Sequence, residues 1–307
     1  MTKRRALVTG ASGYVGSQLA HRLVHEGWEV HVLVRPGSSL APLAGVRDAL
    51  TVHAFAGATT ELVRIVGEAA PDAVFHLAAA FLAQHRPEDV ELLVQSNLLF
   101  STQLLEAMAA NGVRLLVNTG TAWQHYENRE YDPVNLYAAT KQAFEAILAY
   151  YVNAHGFSAA TLALFDTYGP HDPRPKLVKA LWNAAMNGTR LSMSAGEQLL
   201  DMVYIDDAID AFLATELSLR AAGAVQLRYG VSSGAGMRLK DLVAAFEAAT
   251  GTRVDVGWGE RTYRPREVMT PWTDFAPPPG WRARVGFAEG LRRSAGLDGL
   301  ITPTQDA

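Results

Sequence analysis

The sequence predicts an α/β fold, in which a doubly wound parallel sheet is joined to a smaller C-terminal α/β lobe. Three observations predict it. A glycine-rich turn joins a strand to a helix at the start of the chain, strands and helices alternate up to about residue 166, and small or polar residues follow the strands where they end. Ligands of open parallel sheets bind beyond those carboxyl ends. We therefore expect the functional site around residues 9–10, 35, 76–77, 119 and 166.

The composition is that of an ordinary globular protein. The 307 residues are 49% hydrophobic and 19% charged, with a net charge of −4, and no basic run indicates binding to nucleic acid or to an anionic membrane. No apolar stretch reaches the length of a membrane span, and no signal region follows Arg4 and Arg5. The absence of cysteine excludes disulfides, thiol catalysis and cysteine metal sites. We expect a cytoplasmic enzyme and predict no metal site.

The first elements are typical of dinucleotide binding. Residues 4–9 form an apolar strand, residues 10–16 a glycine-rich turn, Leu19 and Leu23 mark a helix, and residues 29–34 form a second strand. Glycines let such a turn close and let backbone N–H groups approach a pyrophosphate at the helix N-terminus. This Rossmann unit predicts cofactor contacts at Gly10, Ser12, Gly13, Tyr14, Val15 and Gly16. The alternative interpretation is a turn that only packs the helix on the strand.

The residue after the second strand indicates which dinucleotide is bound. NAD-selective sites usually place Asp or Glu there to accept hydrogen bonds from the ribose 2′-hydroxyl, but this chain has Arg35. A guanidinium pairs well with a 2′-phosphate, and Ser38 and Ser39 would assist. We therefore predict NADPH (NADP) as the cofactor. An arginine that only ends a surface strand is the alternative.

The first domain, assigned to residues 1–166, continues the alternation. Strands are predicted at 51–55, 72–79, 113–118 and 159–165, and helices at 61–69, 88–111 and 137–155. Elements of these lengths are typical of a parallel sheet covered on both faces. Small side chains at residues 78–80 would let the backbone lie against a flat cofactor.

Beyond residue 166 the pattern loosens. A turn-rich loop at 168–175 precedes predicted helices at about 176–187, 206–220, 239–250 and 286–294, and predicted strands at about 198–205, 225–229 and 254–256. We assign residues 167–295 mainly to a substrate-binding lobe and expect strands near 198–230 to return to the first domain. Residues 296–307 are expected to form a flexible tail.

The most specific chemical signal is the pair Tyr137 and Lys141. Four residues apart on a predicted helix, the phenol and the ammonium share one face. A neighbouring cation favours the phenolate, so we expect Lys141 to lower the pKa of Tyr137 toward neutrality. Such a phenol suits proton transfer to or from a substrate oxygen, as in reduction of a carbonyl or oxidation of an alcohol. The alternative is a tyrosine and a lysine on a solvated helix face.

Several stretches together resemble the extended short-chain dehydrogenase/reductase superfamily, over nearly the whole chain. They are residues 9–16, residues 76–79, Asn97, residues 137–141, residues 203–207 and residues 279–291. Residues 118–126 and 164–176 are most similar to NADPH-dependent reductases of nucleotide-linked 4-keto-6-deoxyhexoses, of the paratose- and abequose-synthase type.

The resemblance implies reduction of the C4 ketone of a nucleotide-linked sugar, carrying dTDP or CDP, in deoxysugar biosynthesis. Tyr137 would donate the proton, and Lys141 would hold the nicotinamide ribose and lower the tyrosine pKa. Thr119, with Thr121 as the second candidate, would hydrogen-bond the substrate oxygen. Further cofactor contacts would come from Leu77, Ala78, Ala79, Asn97 and Phe165. Substrate contacts would come from Trp123, Arg174, Lys176 and Arg264.

Departures from the family pattern refine this prediction. Sugar-nucleotide 4,6-dehydratases carry Asp and Glu after the threonine, where this chain has Gly120 and Thr121, so elimination lacks its acid and base. An acidic residue near the adenine is replaced within residues 56–58, and an arginine that often binds the substrate diphosphate is Leu200. Arg264 matches a second diphosphate arginine and would carry more of that binding.

Three other functions stay open at this point. A 4-epimerase would retain NAD tightly, whereas Arg35 favours exchangeable NADPH. Reduction of a non-sugar ketone, as in flavonoid-type reductases, fits the same arginine. A non-catalytic NADPH-binding sensor would usually lack the Tyr137 and Lys141 pair. We also expect a homodimer, in which helices 88–111 and 137–155 pair with their copies.

Overall fold

A parallel sheet forms the centre of the protein in the computed structural model, which describes residues 3–298. The strands of the chain are β1 (Arg5–Thr9), β2 (Glu29–Val34), β3 (Leu50–Ala54), β4 (Ala73–His76), β5 (Leu115–Thr121), β6 (Ser158–Leu164), β7 (Asp166–Tyr168), β8 (Leu191–Ser192), β9 (Leu199–Leu200), β10 (Met202–Tyr204), β11 (Val225–Val231), β12 (Met237–Arg238) and β13 (Val256–Gly257). The main sheet has the order β3-β2-β1-β4-β5-β6-β11, and all its neighbouring strands are parallel. The predicted doubly wound parallel sheet is confirmed.

Helices cover both faces of the sheet. They are α1 (Tyr14–His25), α2 (Thr59–Ala69), α3 (Val90–Val94), α4 (Phe100–Ala110), α5 (Leu136–His155), α6 (Leu177–Asn187), α7 (Ile205–Arg220), α8 (Leu239–Thr250) and α9 (Phe287–Leu297), with a 3-10 helix at Ala41–Ala49. The helix predicted at 88–111 consists of α3 and α4 joined by a π-helical turn, Gln95–Leu99. Asn97 in that turn is buried.

Alternate residues of each strand pack into two hydrophobic cores, one on each face of the sheet. In β1, Ala6 and Val8 belong to the core that contains α1 and α7. Leu7 between them belongs to the core that contains α2, α4 and α5. Successive side chains of a strand point to opposite faces, so this alternation buries the sheet on both sides and accounts for its continuously apolar strands.

The short strands of the C-terminal half form small separate sheets. β10 pairs with β7, β12 with β9, and β13 with β8. The prediction of one strand over about 198–205 is therefore wrong. Asp201 separates β9 from β10, because its carboxylate accepts hydrogen bonds from the Ser232 hydroxyl and from the Ser233 N–H at 2.8 Å.

Among the described residues, β11 is the strand from the region 198–230 that does return to the main sheet. It pairs along the whole of β6 and forms the edge of the sheet on that side. Neither β9 nor β10 can therefore pair with β6 at that edge. The tail predicted at 296–307 begins within α9, and its residues 299–307 lie outside the described part of the chain. No helix within residues 3–298 is long and apolar enough to cross a membrane.

Candidate active site

One cleft at the carboxyl ends of the strands brings most of the predicted residues together. It lies beside the turn after β1. The two neighbours of β1 in the sheet are β2 on one side and β4 on the other, so the strand order reverses direction here. Dinucleotides bind at such switch points. The predicted residues that line the cleft are Gly10, Gly13, Tyr14, Val15, Gly16, Leu77, Ala79, Thr119, Thr121, Trp123, Tyr137, Phe165, Arg174, Lys176 and Arg264.

The turn between β1 and α1 fits the pyrophosphate of a dinucleotide. Gly10 has φ +73°, and a Cβ there would lie 2.6 Å from the Ala78 nitrogen. A Cβ on Gly16 would lie 2.2 Å from the Gly10 carbonyl oxygen. The glycines thus allow the chain segments to pack closely. α1 begins after Gly13 without a side-chain cap, so the N–H groups of its first turn are left for an anionic ligand.

Buried hydrogen bonds hold the loop that follows β4 against this turn. His76 joins Thr9 Oγ1 to Ser101 Oγ, through Nδ1 at 2.8 Å and Nε2 at 2.9 Å, and the Ala78 N–H donates to Thr9 Oγ1 at 3.2 Å. Burial, with the charge of Lys141, lowers the pKa of His76 to about 3. The histidine is therefore neutral and acts as a fixed hydrogen-bond link.

Asn97 lies behind the cleft and orders the same loop. Its side chain accepts a hydrogen bond from the Ala80 N–H at 2.8 Å and donates to the Ala80 carbonyl at 3.1 Å and to Thr140 Oγ1 at 2.9 Å. All three contacts are internal to the protein. The structure thus gives the side chain of Asn97 a role in positioning the loop, where the resemblance implied a cofactor contact.

Tyr137 lies in the first turn of α5, at the wall of the cleft. Asn135 caps the helix, because its side-chain oxygen accepts a hydrogen bond from the Ala138 N–H at 2.9 Å. Tyr137 is 9% exposed, and burial raises the pKa of its phenol above the ordinary value. The expectation that Lys141 lowers this pKa is not met, because burial disfavours the charged phenolate and is the cause that acts on the Tyr137 pKa.

Lys141 is buried one helical turn further along α5. Lys141 is 3% exposed. Burial lowers the pKa of Lys141 to about 8, although the negative charge of Glu145 acts to raise it. The side chain is therefore an ammonium at neutral pH and loses its proton just above it.

The two candidate threonines differ in what their hydroxyls already bind. The Thr119 hydroxyl is buried and has no hydrogen-bond partner among residues 3–298. The Thr121 hydroxyl accepts the Trp123 N–H at 3.3 Å and caps the short helix Ala122–Gln124. A buried unpaired hydroxyl is unfavourable unless a ligand satisfies it, so the geometry favours Thr119 as the group that meets the substrate.

A buried polar network beside these residues was missed by sequence reasoning. Gln124 Nε2 donates to Glu145 Oε1 at 2.6 Å, and Gln124 Oε1 accepts the Thr121 N–H at 2.9 Å. Arg228 forms two hydrogen bonds with Glu145 Oε2, at 2.7 and 2.9 Å. The network links the end of β5, helix α5 and strand β11. Glu145 follows Lys141 by four residues on the predicted helix, and this spacing could have indicated that the two side chains lie on one face.

Two cations that line the cleft, Lys176 and Arg264, are paired with carboxylates. Lys176 Nζ donates to Asp166 Oδ1 at 2.9 Å. Arg264 donates twice to Glu267, at 2.7 and 3.0 Å, and lies 5.4 Å from the centroid of a Trp123 ring. Burial acts to raise the pKa of Asp166, but Lys176 and two nearby arginines outweigh it and hold that pKa below the ordinary range.

Aromatic residues that the sequence did not single out complete the wall. The ring of Phe81 is 51% exposed and contacts both Tyr137 and Trp123. Trp272 stacks on His125 with ring centroids 3.8 Å apart. Phe81 follows the small-residue loop after β4, which was a usable signal. Trp272 comes from an irregular segment, and only the tertiary structure brings it here.

Arg35, Ser38 and Ser12 are not among the residues that line this cleft. Arg35 is exposed directly after β2, and the Ser38 N–H donates to its carbonyl oxygen at 3.1 Å. This is the position from which a doubly wound sheet contacts the adenosine ribose. Arg35 is thus exposed at the carboxyl end of β2, and its contact with the cofactor stays a prediction.

Comparisons with known proteins agree with this geometry. The model of the NAD dependent epimerase/dehydratase family matches residues 6–223. The CDP-abequose synthase of Salmonella muenchen is 24% identical over 293 residues, covering 94% of this chain and 96% of the relative. The UDP-glucose 4-epimerase of Mycolicibacterium smegmatis is 28% identical over 317 residues, covering 94% and 97%. The structure of the Thermus thermophilus UDP-glucose 4-epimerase complex with NAD is similar with a TM-score of 0.80 and 27% identity, covering 96% and 99%.

The region matched by the family model contains the glycine turn after β1, Thr119 and the Tyr137 and Lys141 pair. These are the groups that the tertiary structure brings to one cleft or directly behind it. The resemblance inferred from the sequence is confirmed. The chain belongs to the NAD dependent epimerase/dehydratase family, within the extended short-chain dehydrogenase/reductase superfamily.

Proposed function

We propose that this enzyme reduces the C4 ketone of a nucleotide-linked 4-keto-6-deoxyhexose with NADPH. One observation carries the proposal: Tyr137 and Thr119, whose buried hydroxyl has no partner among residues 3–298, line the same cleft as the dinucleotide turn. A carbonyl bound there meets a hydrogen-bond donor and a proton donor at its oxygen.

The chain's own groups act on that oxygen. When bound, NADPH supplies a hydride. Thr119 donates a hydrogen bond to the carbonyl oxygen and stabilises the negative charge that develops on it. Tyr137 transfers its proton to the same oxygen. The Lys141 ammonium, whose pKa is about 8, stabilises the phenolate that remains.

The protonation state of Tyr137 suits the role of an acid in the proposed reduction. Burial raises the pKa of the phenol, so it holds its proton at neutral pH and can act as an acid. An epimerisation begins with oxidation of an alcohol and needs the phenolate as a base. Reduction of a ketone needs the protonated phenol as its acid, and the reductive half of an epimerisation needs it as well.

Arg35 supports NADPH as the reductant. Its exposed guanidinium directly follows β2, where an acidic residue would select the free ribose hydroxyls of NAD. A guanidinium binds a phosphate through paired, charge-assisted hydrogen bonds. An exchangeable reductant of this kind suits a ketoreductase, which consumes one equivalent in each turnover.

The relatives support a nucleotide-linked sugar as the substrate. CDP-abequose synthase and UDP-glucose 4-epimerase, both named for nucleotide-linked sugars, each align with 94% of this chain. Lys176 and Arg264 supply cations within the cleft, as a diphosphate requires. Dehydration is disfavoured, because Gly120 and Thr121 provide no carboxyl group to act as the acid or base of an elimination.

A nucleotide-sugar 4-epimerase is the second candidate. The UDP-glucose 4-epimerase of Mycolicibacterium smegmatis aligns with the chain at 28% identity and nearly full coverage, and the catalytic pair is compatible with both reactions. The two functions differ in cofactor use, because an epimerase regenerates its dinucleotide in every cycle.

One assay separates the two candidates. Purified protein is mixed with NADPH and a panel of dTDP-, CDP-, GDP- and UDP-linked 4-keto-6-deoxy sugars, and oxidation of NADPH is followed by absorbance, with the product configuration determined by NMR. We expect stoichiometric NADPH consumption with a dTDP or CDP sugar. Protein that carries bound NAD and interconverts 4-epimers without added cofactor would replace this proposal with the epimerase.

A further inference from the structure

Arg174 lies on the dinucleotide side of the cleft. The carbon of its guanidinium is 4.6 Å from the centroid of the Tyr14 ring. Tyr14 is the first residue of α1 and directly follows Gly13 in the dinucleotide turn. The segment that carries the arginine is packed against the same tyrosine, because a Cβ on Gly169 would lie 2.6 Å from the Tyr14 hydroxyl. Arg174 therefore lies over the side chain of the first residue of α1.

The guanidinium is held rigidly, with one nitrogen uncommitted. Nε and Nη2 donate to the two oxygens of Asp172 at 2.8 and 2.7 Å, and Nη2 also donates to the Thr167 carbonyl at 2.9 Å and hydroxyl at 3.1 Å. Nη1 has no hydrogen-bond partner among residues 3–298. A planar fork fixed in this way loses little entropy when it binds a further oxygen.

The dinucleotide turn has no cation of its own. Residues 10–16 contain no Lys or Arg, and the backbone N–H groups at the start of α1 provide only the partial positive charge of a helix terminus. The pyrophosphate of a dinucleotide is a dianion, and a guanidinium beside it forms charge-assisted hydrogen bonds. Arg174 adds a guanidinium donor, Nη1, beside Tyr14, while its other nitrogens pair with Asp172.

The other two cations of the cleft lie toward the reacting groups. Lys176 Nζ is 6.0 Å from the centroid of Phe81, whose ring packs on Tyr137, and Arg264 lies over Trp123. All three cations lie near enough to Asp166 to lower its pKa, but among them Arg174 is the one that packs on Tyr14 at the start of α1. The resemblance to the family implied that all three serve the sugar nucleotide, but their surroundings differ.

We propose that Arg174 is a cofactor-binding residue, whose Nη1 donates to the pyrophosphate of the bound dinucleotide, and that Lys176 and Arg264 serve the nucleotide sugar. The inference rests on the dinucleotide part of the proposed function and is independent of which sugar is reduced.

Calorimetric titration of purified variants tests this division. The probes are NADPH, NADH, 2′-phosphoadenosine 5′-diphosphoribose, which contains the pyrophosphate, adenosine 2′-monophosphate, which lacks it, and the nucleoside diphosphates CDP and dTDP. Arg174→Met should weaken binding of the pyrophosphate-containing dinucleotide ligands about ten- to hundredfold and leave adenosine 2′-monophosphate, CDP and dTDP unchanged. Arg264→Met, the matched control, should weaken CDP or dTDP and leave NADPH unchanged.

Two results would overturn the inference: NADPH affinity that is unchanged in Arg174→Met, or a loss confined to CDP and dTDP. Should the methionine variant fail to fold, Arg174→Gln keeps a planar group over Tyr14 without the charge, and unchanged NADPH affinity in that variant is equally decisive. Wild-type protein that binds neither NADPH nor NADH would instead refute the proposed function, so the two failures are distinguishable.

Discussion

The ring of Phe81 stands edge-on to the ring of Tyr137, with centroids 5.0 Å apart and an interplanar angle of 82°. This contact shields one side of the phenol from water. The loop that carries Phe81 is tied to the start of α5 by Asn135, whose amide donates to the Ala83 carbonyl at 3.0 Å. The aromatic contact and the helix cap thus position the predicted proton donor together.

Removing the phenol should abolish turnover while cofactor binding survives. We expect Tyr137→Phe to lower kcat by about 10²- to 10⁴-fold, the usual contribution of a positioned general acid, with little change in the Kd for NADPH. Steady-state kinetics and fluorescence titration measure the two quantities. Tyr150→Phe is the control, because Tyr150 lies on the same helix with 60% of its surface exposed and should retain full activity. Near-normal turnover in Tyr137→Phe would refute the assignment.

The two threonines should separate activity from stability. Thr119→Val removes a buried hydroxyl without a protein partner, so we expect kcat to fall about 10²-fold with no loss of thermal stability. Thr121→Val removes a helix cap and should lower the free energy of unfolding by about 1 kcal/mol with little change in kcat. Kinetics and denaturant unfolding of both variants check this, and a reversed pattern would make Thr121 the catalytic hydroxyl.

The pH dependence of kcat/KM should show the ionisation of Lys141. Its pKa is about 8, so the ammonium is present below that pH and is lost as the pH rises through it. We expect kcat/KM to fall above about pH 8. The charge of Glu145 raises the pKa of Lys141, so Glu145→Gln should move this break to lower pH. A break that stays in place in Glu145→Gln would contradict the coupling of the two residues.

Arg35 should determine the preference for NADPH. We expect Arg35→Ala to raise KM for NADPH by about ten- to hundredfold, the value of a charge-assisted hydrogen bond, and to leave KM for NADH nearly unchanged. Arg253→Ala is the control, since that side chain is 91% exposed and belongs to a surface pair with Glu247. A variant of Arg35 that keeps the preference of the wild type would remove the basis for predicting NADPH.

Exposed apolar side chains on the helices from Val90 to Ala110 are expected to lie in the interface of a homodimer. Leu92 is 43% exposed and Leu99 is 54% exposed, and large exposed apolar patches mark interfaces. We expect the wild-type protein to elute from a sizing column at twice the mass of one chain, and Leu99→Glu to elute as a monomer. Leu217→Glu, at an exposed leucine on α7, should remain dimeric. A monomeric wild-type protein at micromolar concentration would contradict the predicted homodimer.

Local sequence patterns predicted the main elements closely. β2 was predicted at 29–34 and is observed at Glu29–Val34, and the helix predicted to end near residue 155 ends at His155. Apolar runs and turn residues act within a few positions, so they are visible in the sequence. The break between β9 and β10 was not predicted, because Asp201 there binds Ser232 and Ser233, which are far along the chain. The domain boundaries and the cytoplasmic location stay predictions.

The sequence by itself determined the family, the parallel sheet and the residue types at the carboxyl ends of its strands, because spacing and local propensity suffice for these. Only the tertiary structure decided which threonine hydroxyl lacks a partner within residues 3–298, that burial raises the pKa of Tyr137, and that Arg174 packs on Tyr14. Those properties depend on the exclusion of water and on partners brought from distant segments, as when Glu145 of α5 meets Arg228 of β11. Neither effect is encoded at any single position.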